Sequence, residues 1–243
     1  MKPRIWVTRS EPGASRLAAA IEAKGFDVWV RPAITIESLD APQPIGSFDV
    51  AIFLSEHAVR FASAKGWPGG KSGAGAGATV IAIGPATQRA LGEVGVSAAV
   101  PSEATSEGIV ALLRHVGERG DLRAPGDLKS VLVVAGVGGR DHLQRYFRDL
   151  QVPVIEWSLY RRNEDTQQLP ASIRIDAIVA SSGDGLRVVG KVWFAARRDG
   201  NVPVVVPSAR VAGAAQRAGF RTIAESGAAD TEAVVTALQG IFG

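Results

Sequence analysis

The chain has no cysteine. Disulfides, thiolate nucleophiles and zinc–thiolate centres are thereby excluded, and the absence fits a reducing compartment. Histidine is scarce as well. His57, His115 and His142 are scattered, with no pair at metal-ligand spacing, so no metal is expected. No apolar run reaches transmembrane length, and the N-terminus lacks the apolar core of a signal peptide. A cytoplasmic protein with no membrane partner is expected. An excess of one charge is also missing. The 27 Lys+Arg face 24 Asp+Glu, a net charge of +3, too mild to argue for a nucleic-acid partner. Aromatics make up only 6% of the residues, and tyrosine occurs just twice, as Tyr146 and Tyr160. Nucleophile elbows and paired catalytic carboxylates do not stand out.

What the chain does have is a repeat. Ile5-Trp6-Val7-Thr8-Arg9, a helical stretch, Gly25 and Val28 to Ile36 are echoed by Val131 to Ala135, a helical stretch, Gln151 and Val154 to Tyr160. Phe48 to Ser55 answers to Ile175 to Ser182. Val80 to Pro85 answers to Val204 to Ser208, and Thr105-Ser106-Glu107 to Asp230-Thr231-Glu232. The offset stays near half the chain length, far beyond the ~20–50 residues of a solenoid unit. Two similar α/β units follow, with a cleft between them as the natural ligand site.

The apolar runs Ala51 to Leu54, Val80 to Ile83, Val131 to Val134, Ala177 to Ala180 and Val202 to Val206 are continuous rather than alternating. Such runs belong to parallel strands covered on both faces. Leu17, Ala20, Ile21 and Lys24 have helical spacing, closed by Gly25, and Leu143, Tyr146, Phe147 and Leu150 repeat that spacing. The predicted fold class is α/β, with two similar doubly wound parallel-sheet domains. Gly66 to Ala78 is expected to be a surface loop, and Gly117 to Lys129 separates the two copies.

Three glycine patterns suggest phosphate binding. Gly73-x-Gly75-x-Gly77 precedes a strand, whereas a dinucleotide fingerprint must follow one, and Gly70-Lys71-Ser72 has its leading glycine one residue out of place for a P-loop. Gly136-Val137-Gly138-Gly139-Arg140 is better placed, after a strand and before a helix, with Glu156 about 20 residues on where an acidic ribose ligand would sit. Asp141 stands where that fingerprint needs its last glycine. The same turn could cradle a carboxylate instead.

The recurring chemistry lies just after the predicted strands: Thr8-Arg9, Ser55-Glu56, Pro85-Ala86-Thr87, Gly138-Gly139-Arg140, Ser181-Ser182-Gly183 and Pro207-Ser208-Ala209-Arg210. In open α/β sheets ligands bind at such strand ends. Hydroxyls, glycines and arginines there suit a ligand rich in carboxylates or phosphates. Helix capping is the competing explanation for each serine and threonine.

In their order, Val7-Thr8-Arg9, Pro32-Ala33-Ile34, Ile52 to Val59, Ala82 to Thr87, Ala104 to Gly108, Gly139-Arg140 with Leu143, Leu159-Tyr160-Arg161-Arg162 and Pro207 to Arg210 resemble uroporphyrinogen-III synthase across essentially the whole chain. The chain departs from that family's habits at Leu54, His57 and Ala135. The resemblance implies a discontinuous domain 1, residues 1–35 plus 165–243, and a domain 2, residues 36–164. Two linker strands, near Ala33 to Glu37 and Ser158 to Asp165, would join them around a cleft. It also implies a monomeric lyase that closes the linear tetrapyrrole hydroxymethylbilane into uroporphyrinogen III, inverting ring D and losing water, with no cofactor. Tyr160 matches the group favoured for assisting hydroxyl loss. Arg9, Ser55, Glu56, Thr87, Ser106, Gly139, Arg140, Ser182, Gly183, Ser208 and Arg210 would hold the substrate. The other readings open at this point are a dinucleotide-dependent α/β enzyme and a non-catalytic two-lobed protein binding a tetrapyrrole or another polyanion.

Overall fold

The computed structural model describes residues 1–11, 13–67, 77–118, 123–139 and 141–243. Gly70-Lys71-Ser72, Gly73, Gly75 and Arg140 lie outside the described residues. The first half of the chain runs β1 (Arg4–Val7), α1 (Gly13–Glu22), β2 (Asp27–Val30), β3 (Ile34–Ser38), β4 (Val50–Phe53), α2 (Glu56–Ala64), β5 (Thr79–Ala82), α3 (Pro85–Glu93) and α4 (Ser106–Glu118). The second half runs β6 (Val131–Gly136), α5 (His142–Asp149), β7 (Val154–Glu164), β8 (Ala177–Val179), α6 (Gly183–Ala195), β9 (Val204–Val206), α7 (Ala209–Ala218), β10 (Ile223–Glu225) and α8 (Thr231–Phe242). Among the described residues no helix is long and apolar enough to cross a membrane.

The chain divides into two compact units, Met1–Ile36 with Asn163–Gly243, and Glu37–Arg162. The first is built on a five-stranded sheet in the order β10-β9-β8-β1-β2. Every neighbouring pair in it is parallel. Its strands are apolar throughout because helices cover both faces. Ile5, Val7, Ala177, Val179 and Val205 pack with the buried sides of α1 and α8. Trp6, Ile178, Val204 and Val206 point the other way, towards α6 and α7. The period-2 alternation of a strand thus feeds two cores.

The second unit has the order β3-β7-β6-β4-β5, with β4, β5, β6 and β7 mutually parallel. Val50, Ile52, Ile81, Val131 and Val133 meet α4 and α5, while α2 and α3 lie against the sheet from the other side. There Phe53 packs on Trp67 with ring centroids 4.5 Å apart. β3 is the exception to parallel pairing. Asp165 N donates to Ala33 O and Leu39 N donates to Leu159 O, so β3 and β7 run antiparallel. Pro32, which has no N–H to donate, separates β2 from β3.

The repeat has a topological meaning. Written from β9, the first sheet reads 9-8-1-2; written from β5, the second reads 5-4-6-7. Strands that echo one another in sequence occupy equivalent places. Even β10 has a counterpart: Ala99 makes an isolated parallel bridge to Ile81. Each unit takes part of one copy and part of the other. β1, α1 and β2 from the first copy join β8 to α8 of the second, and β4 to α4 join β6, α5 and β7.

Candidate active site

In each sheet the strand order reverses between two central strands, β1 and β8 in one, β4 and β6 in the other. The loops leaving those strands diverge to opposite faces. The crevice at their carboxyl ends is where open α/β sheets bind ligands. In the second unit those loops begin with Leu54-Ser55 and with Val137 to Gly139.

Ser55 caps α2. Its backbone is extended, φ −172° and ψ 162°, and its Oγ accepts a hydrogen bond from Ala58 N at 3.0 Å. α2 follows from its sequence, with Glu56 in the first turn and Ala58, Val59 and Ala62 on the buried side. Tyr160 reaches this cap from two strands away. It sits on β7, and β6 lies between β7 and β4. The register of β6 and β7 slips after Ala135, so that Gly136 faces Tyr160. The phenol ring lies over Gly136: a Cβ there would fall 2.4 Å from Cε2 of the ring. Crossing the end of β6 in this way, Tyr160 Oη comes 2.8 Å from Ser55 Oγ.

α2 also grips the ring. His57 and Phe61, four residues apart and so on one helix face, place their centroids 5.7 Å and 6.0 Å from that of Tyr160. Tyr160 is 2% exposed, an interior residue rather than an edge aromatic. Burial pushes the His57 imidazole below its ordinary value; the Glu56 carboxylate opposes that shift, and Arg60 and Arg162 add to it. The ring against the phenol is therefore neutral at pH 7.

The other expected binding residues are spread over both units. Thr87 is buried in the first turn of α3. Ser106 opens α4, but the cap is Thr105, whose Oγ1 accepts from Gly108 N at 3.0 Å. Gly139 is exposed beyond Gly138, which has φ +81°. Among the described residues none of these three makes a hydrogen bond to Tyr160. Ser182 caps α6 through Gly185 N, at 3.1 Å, as its echo Ser55 caps α2. Ser208 stands at the N-cap of α7 without using its side chain. Gly183 and Arg210 do come together, lining a groove of about 600 Å³ between α6 and α7 with Arg187, Lys191 and Arg217. Arg187 and Lys191 are shared with Glu164, which Arg187 holds below its usual carboxylate range. Arg9 runs over Gly13 towards Ala229 O, 3.4 Å away. Its neighbour Thr8 is buried and donates from Oγ1 to Val179 O at 2.8 Å, tying β1 to β8. Sequence reasoning does not single out His57, Phe61 and Gly136 as partners of Tyr160. The i, i+4 spacing of the first two is the available signal.

The dinucleotide reading of Gly136 to Arg140 does not survive. The Tyr160 ring occupies the side of Gly136 where a Cβ would project, so no pyrophosphate can approach its backbone from that side. Glu156 pairs in register with Val133, mid-strand, not at the carboxyl end where a ribose would lie. Among the described residues no three His, Asp or Glu side chains come together as metal ligands.

A family model described as HEM4, uroporphyrinogen-III synthase HemD, matches residues 15–236. The fold is similar to that of a mutant uroporphyrinogen III synthase from the extremely thermophilic bacterium Thermus thermophilus, with TM-score 0.64, 17% identity and coverage of 99% of this chain and 97% of that one. It is also similar to the uroporphyrinogen-III synthetase of Helicobacter pylori, with TM-score 0.63, 14% identity and coverage of 99% and 100%. The match runs through both units and takes in the Ser55–Tyr160 pair, and the chain belongs to the uroporphyrinogen-III synthase family.

Proposed function

We propose that this enzyme converts hydroxymethylbilane to uroporphyrinogen III with inversion of ring D and loss of water, acting as a cytoplasmic, monomeric lyase without a cofactor. The observation that carries the reading is the family match over residues 15–236. The Ser55–Tyr160 hydrogen bond at a sheet's switch point adds to it. The task is chiefly one of positioning, because the substrate loses its hydroxyl readily and closes to the wrong isomer when left alone. A substrate with eight carboxylates calls for N–H groups, hydroxyls and arginines. We assign that role to Arg9, Ser182, Gly183, Ser208 and Arg210 in the first unit, and to Ser55, Glu56 through its backbone N–H, Thr87, Ser106, Gly139 and Arg140 in the second. The two units are read as the enzyme's two domains.

Tyr160 is the proton source in this reading. As the C–O bond breaks, the hydroxyl departs with the bonding electrons and takes up a proton to leave as water. Ring closure onto a pyrrole carbon later releases a proton, which restores the phenol. The test is incubation with freshly made hydroxymethylbilane and separation of type I from type III product. Enrichment of type III over the uncatalysed mixture is expected; type I alone defeats the reading. Tyr160→Phe is expected to lower the initial rate about 10- to 100-fold, the low end of a positioned acid's contribution, with the melting temperature as control.

A further inference from the structure

We infer that Ser55, not Tyr160, presents the proton to the leaving hydroxyl, and that Tyr160 acts through it. This rests on the proposed cyclisation. The observations are the valences of one oxygen and the burial of another. A serine hydroxyl has one hydrogen and two lone pairs. Ala58 N–H occupies one lone pair of Ser55 Oγ. The contact to Tyr160 Oη can run in either direction by distance alone.

Burial decides the direction. If Ser55 donated to Tyr160, the phenol would have to aim its own hydrogen elsewhere. Tyr160 is 2% exposed. Its surroundings are the Gly136 backbone, the Phe61 ring and the His57 ring, and no second hydrogen bond leaves Oη among the described residues. A buried donor without an acceptor is costly. If Tyr160 donates to Ser55, every hydrogen is placed. The phenol hydrogen fills the second lone pair of Oγ. The serine hydrogen, freed from both neighbours, points out of the pair. Ser55 is the more open of the two, half-buried at the start of α2.

The chemistry follows as a two-proton shift. Ser55 O–H gives its proton to the departing hydroxyl oxygen, and that C–O bond breaks. Tyr160 O–H passes its proton to Ser55 Oγ, leaving phenolate. The Ala58 N–H at the helix N-terminus holds Oγ in place throughout. The proton released on ring closure returns along the same path. Ser55 is then a catalytic residue that touches substrate, and Tyr160 the reservoir behind it. The other unit has the serine but no reservoir. The register of the repeat that pairs Val28 with Val154 pairs Ile34 with Tyr160, so no phenol stands behind Ser182 to resupply a proton.

Five variants assayed for rate and one spectrum test the relay. Ser55→Ala and Tyr160→Phe are expected to slow type III formation by similar factors, about 10- to 100-fold. The double variant should be no slower than the slower single one. Ser55→Asp keeps the cap and can accept from Tyr160 but has no proton to give at neutral pH. It is expected to melt like the parent and to be as slow as Ser55→Ala; Ser55→Thr should retain most of the rate. Independently of activity, the Tyr160 hydroxyl proton should be a slowly exchanging NMR resonance in the Tyr146→Phe protein. The Ser55→Ala change should quicken its exchange. A parental rate in Ser55→Asp, or multiplied losses in the double variant, would overturn the relay. So would a Tyr160 hydroxyl proton whose exchange ignores Ser55→Ala. A parent that makes no type III product would instead defeat the cyclisation reading, leaving the exchange experiment to judge the hydrogen bond.

Discussion

Gly136 shows how much can hang on an absent side chain. Tyr160 crosses the end of β6 only because nothing projects from that strand's last residue. Gly136→Ala would bring a methyl to 2.4 Å from the ring, and the ring, boxed in by His57 and Phe61, has little room to yield. The expected result is the rate loss of Tyr160→Phe together with destabilisation of about 1–3 kcal/mol, the usual cost of overpacking. Initial rates and denaturant unfolding measure the two. His57 makes a different prediction. Burial sets its folded value below the ordinary 6.5, so as pH falls the unfolded chain binds the proton first. The stability tied to a neutral His57 is complete above 6.5 and is lost as pH drops towards the folded value. Glu56, Arg60 and Arg162 are the charges that act on it. Melting temperatures from pH 7 down to about pH 5 should therefore fall less steeply in His57→Gln than in the parent. Equal slopes would mean that burial does not hold the imidazole neutral.

Among the elements, the segment after β2 depends on one arginine. Arg31 makes a fork to Asp165, Nε to Oδ2 at 2.8 Å and Nη2 to Oδ1 at 2.9 Å. Its Nη2 also donates to Gln167 O at 2.6 Å, and its guanidinium lies over Trp29. Arg31 thus joins the end of β2 to the chain returning from β7, inside one unit. Arg31→Ala should cost about 2 kcal/mol, and Arg31→Lys should recover only part of that because the fork is lost. Calorimetric melting would show it; a parental melt for Arg31→Ala would assign the fork no net stability. The elements also show what the sequence discloses. Runs such as Val131 to Val134 are readable as parallel strands because both faces are covered. The cap residues Thr105 and Asp230 are readable because helix starts need side-chain acceptors. The antiparallel end of β7 is harder to see: Arg161 to Glu164 is exposed and polar, so no burial pattern marks it as strand. Ser55 and Tyr160 are 105 residues apart. Their meeting depends on strand order, the slip beside Gly136 and a glycine's missing atoms, none of which a local pattern carries. Glu156 misleads for the same reason, since spacing along the chain does not fix register between strands.

For the molecule as a whole, the decisive feature is the exchange between repeat copies. The halves of the sequence are alike, yet neither half is a folding unit; Glu37–Arg162 takes its strands from both sides of the midpoint. That unit is nevertheless one unbroken stretch, whereas its counterpart is assembled from the two ends of the chain. A ribosome therefore meets a scheduling problem. Glu37–Arg162 has every strand of its sheet once β7 emerges. β1, made first, is a central strand of the other sheet, and its partner β8 is made far later. Until then one edge of β1 and the side of α1 that meets α8 have nothing to cover them, the condition in which nascent chains need chaperones. Chains arrested on the ribosome after β7 but before β8 should resist protease within 37–162 and be cut within the first 36 residues, and release of the full chain should abolish those cuts. The exchange between the two repeat copies thus leaves β1 and α1 waiting on β8 and α8, and newly made protein is most vulnerable there.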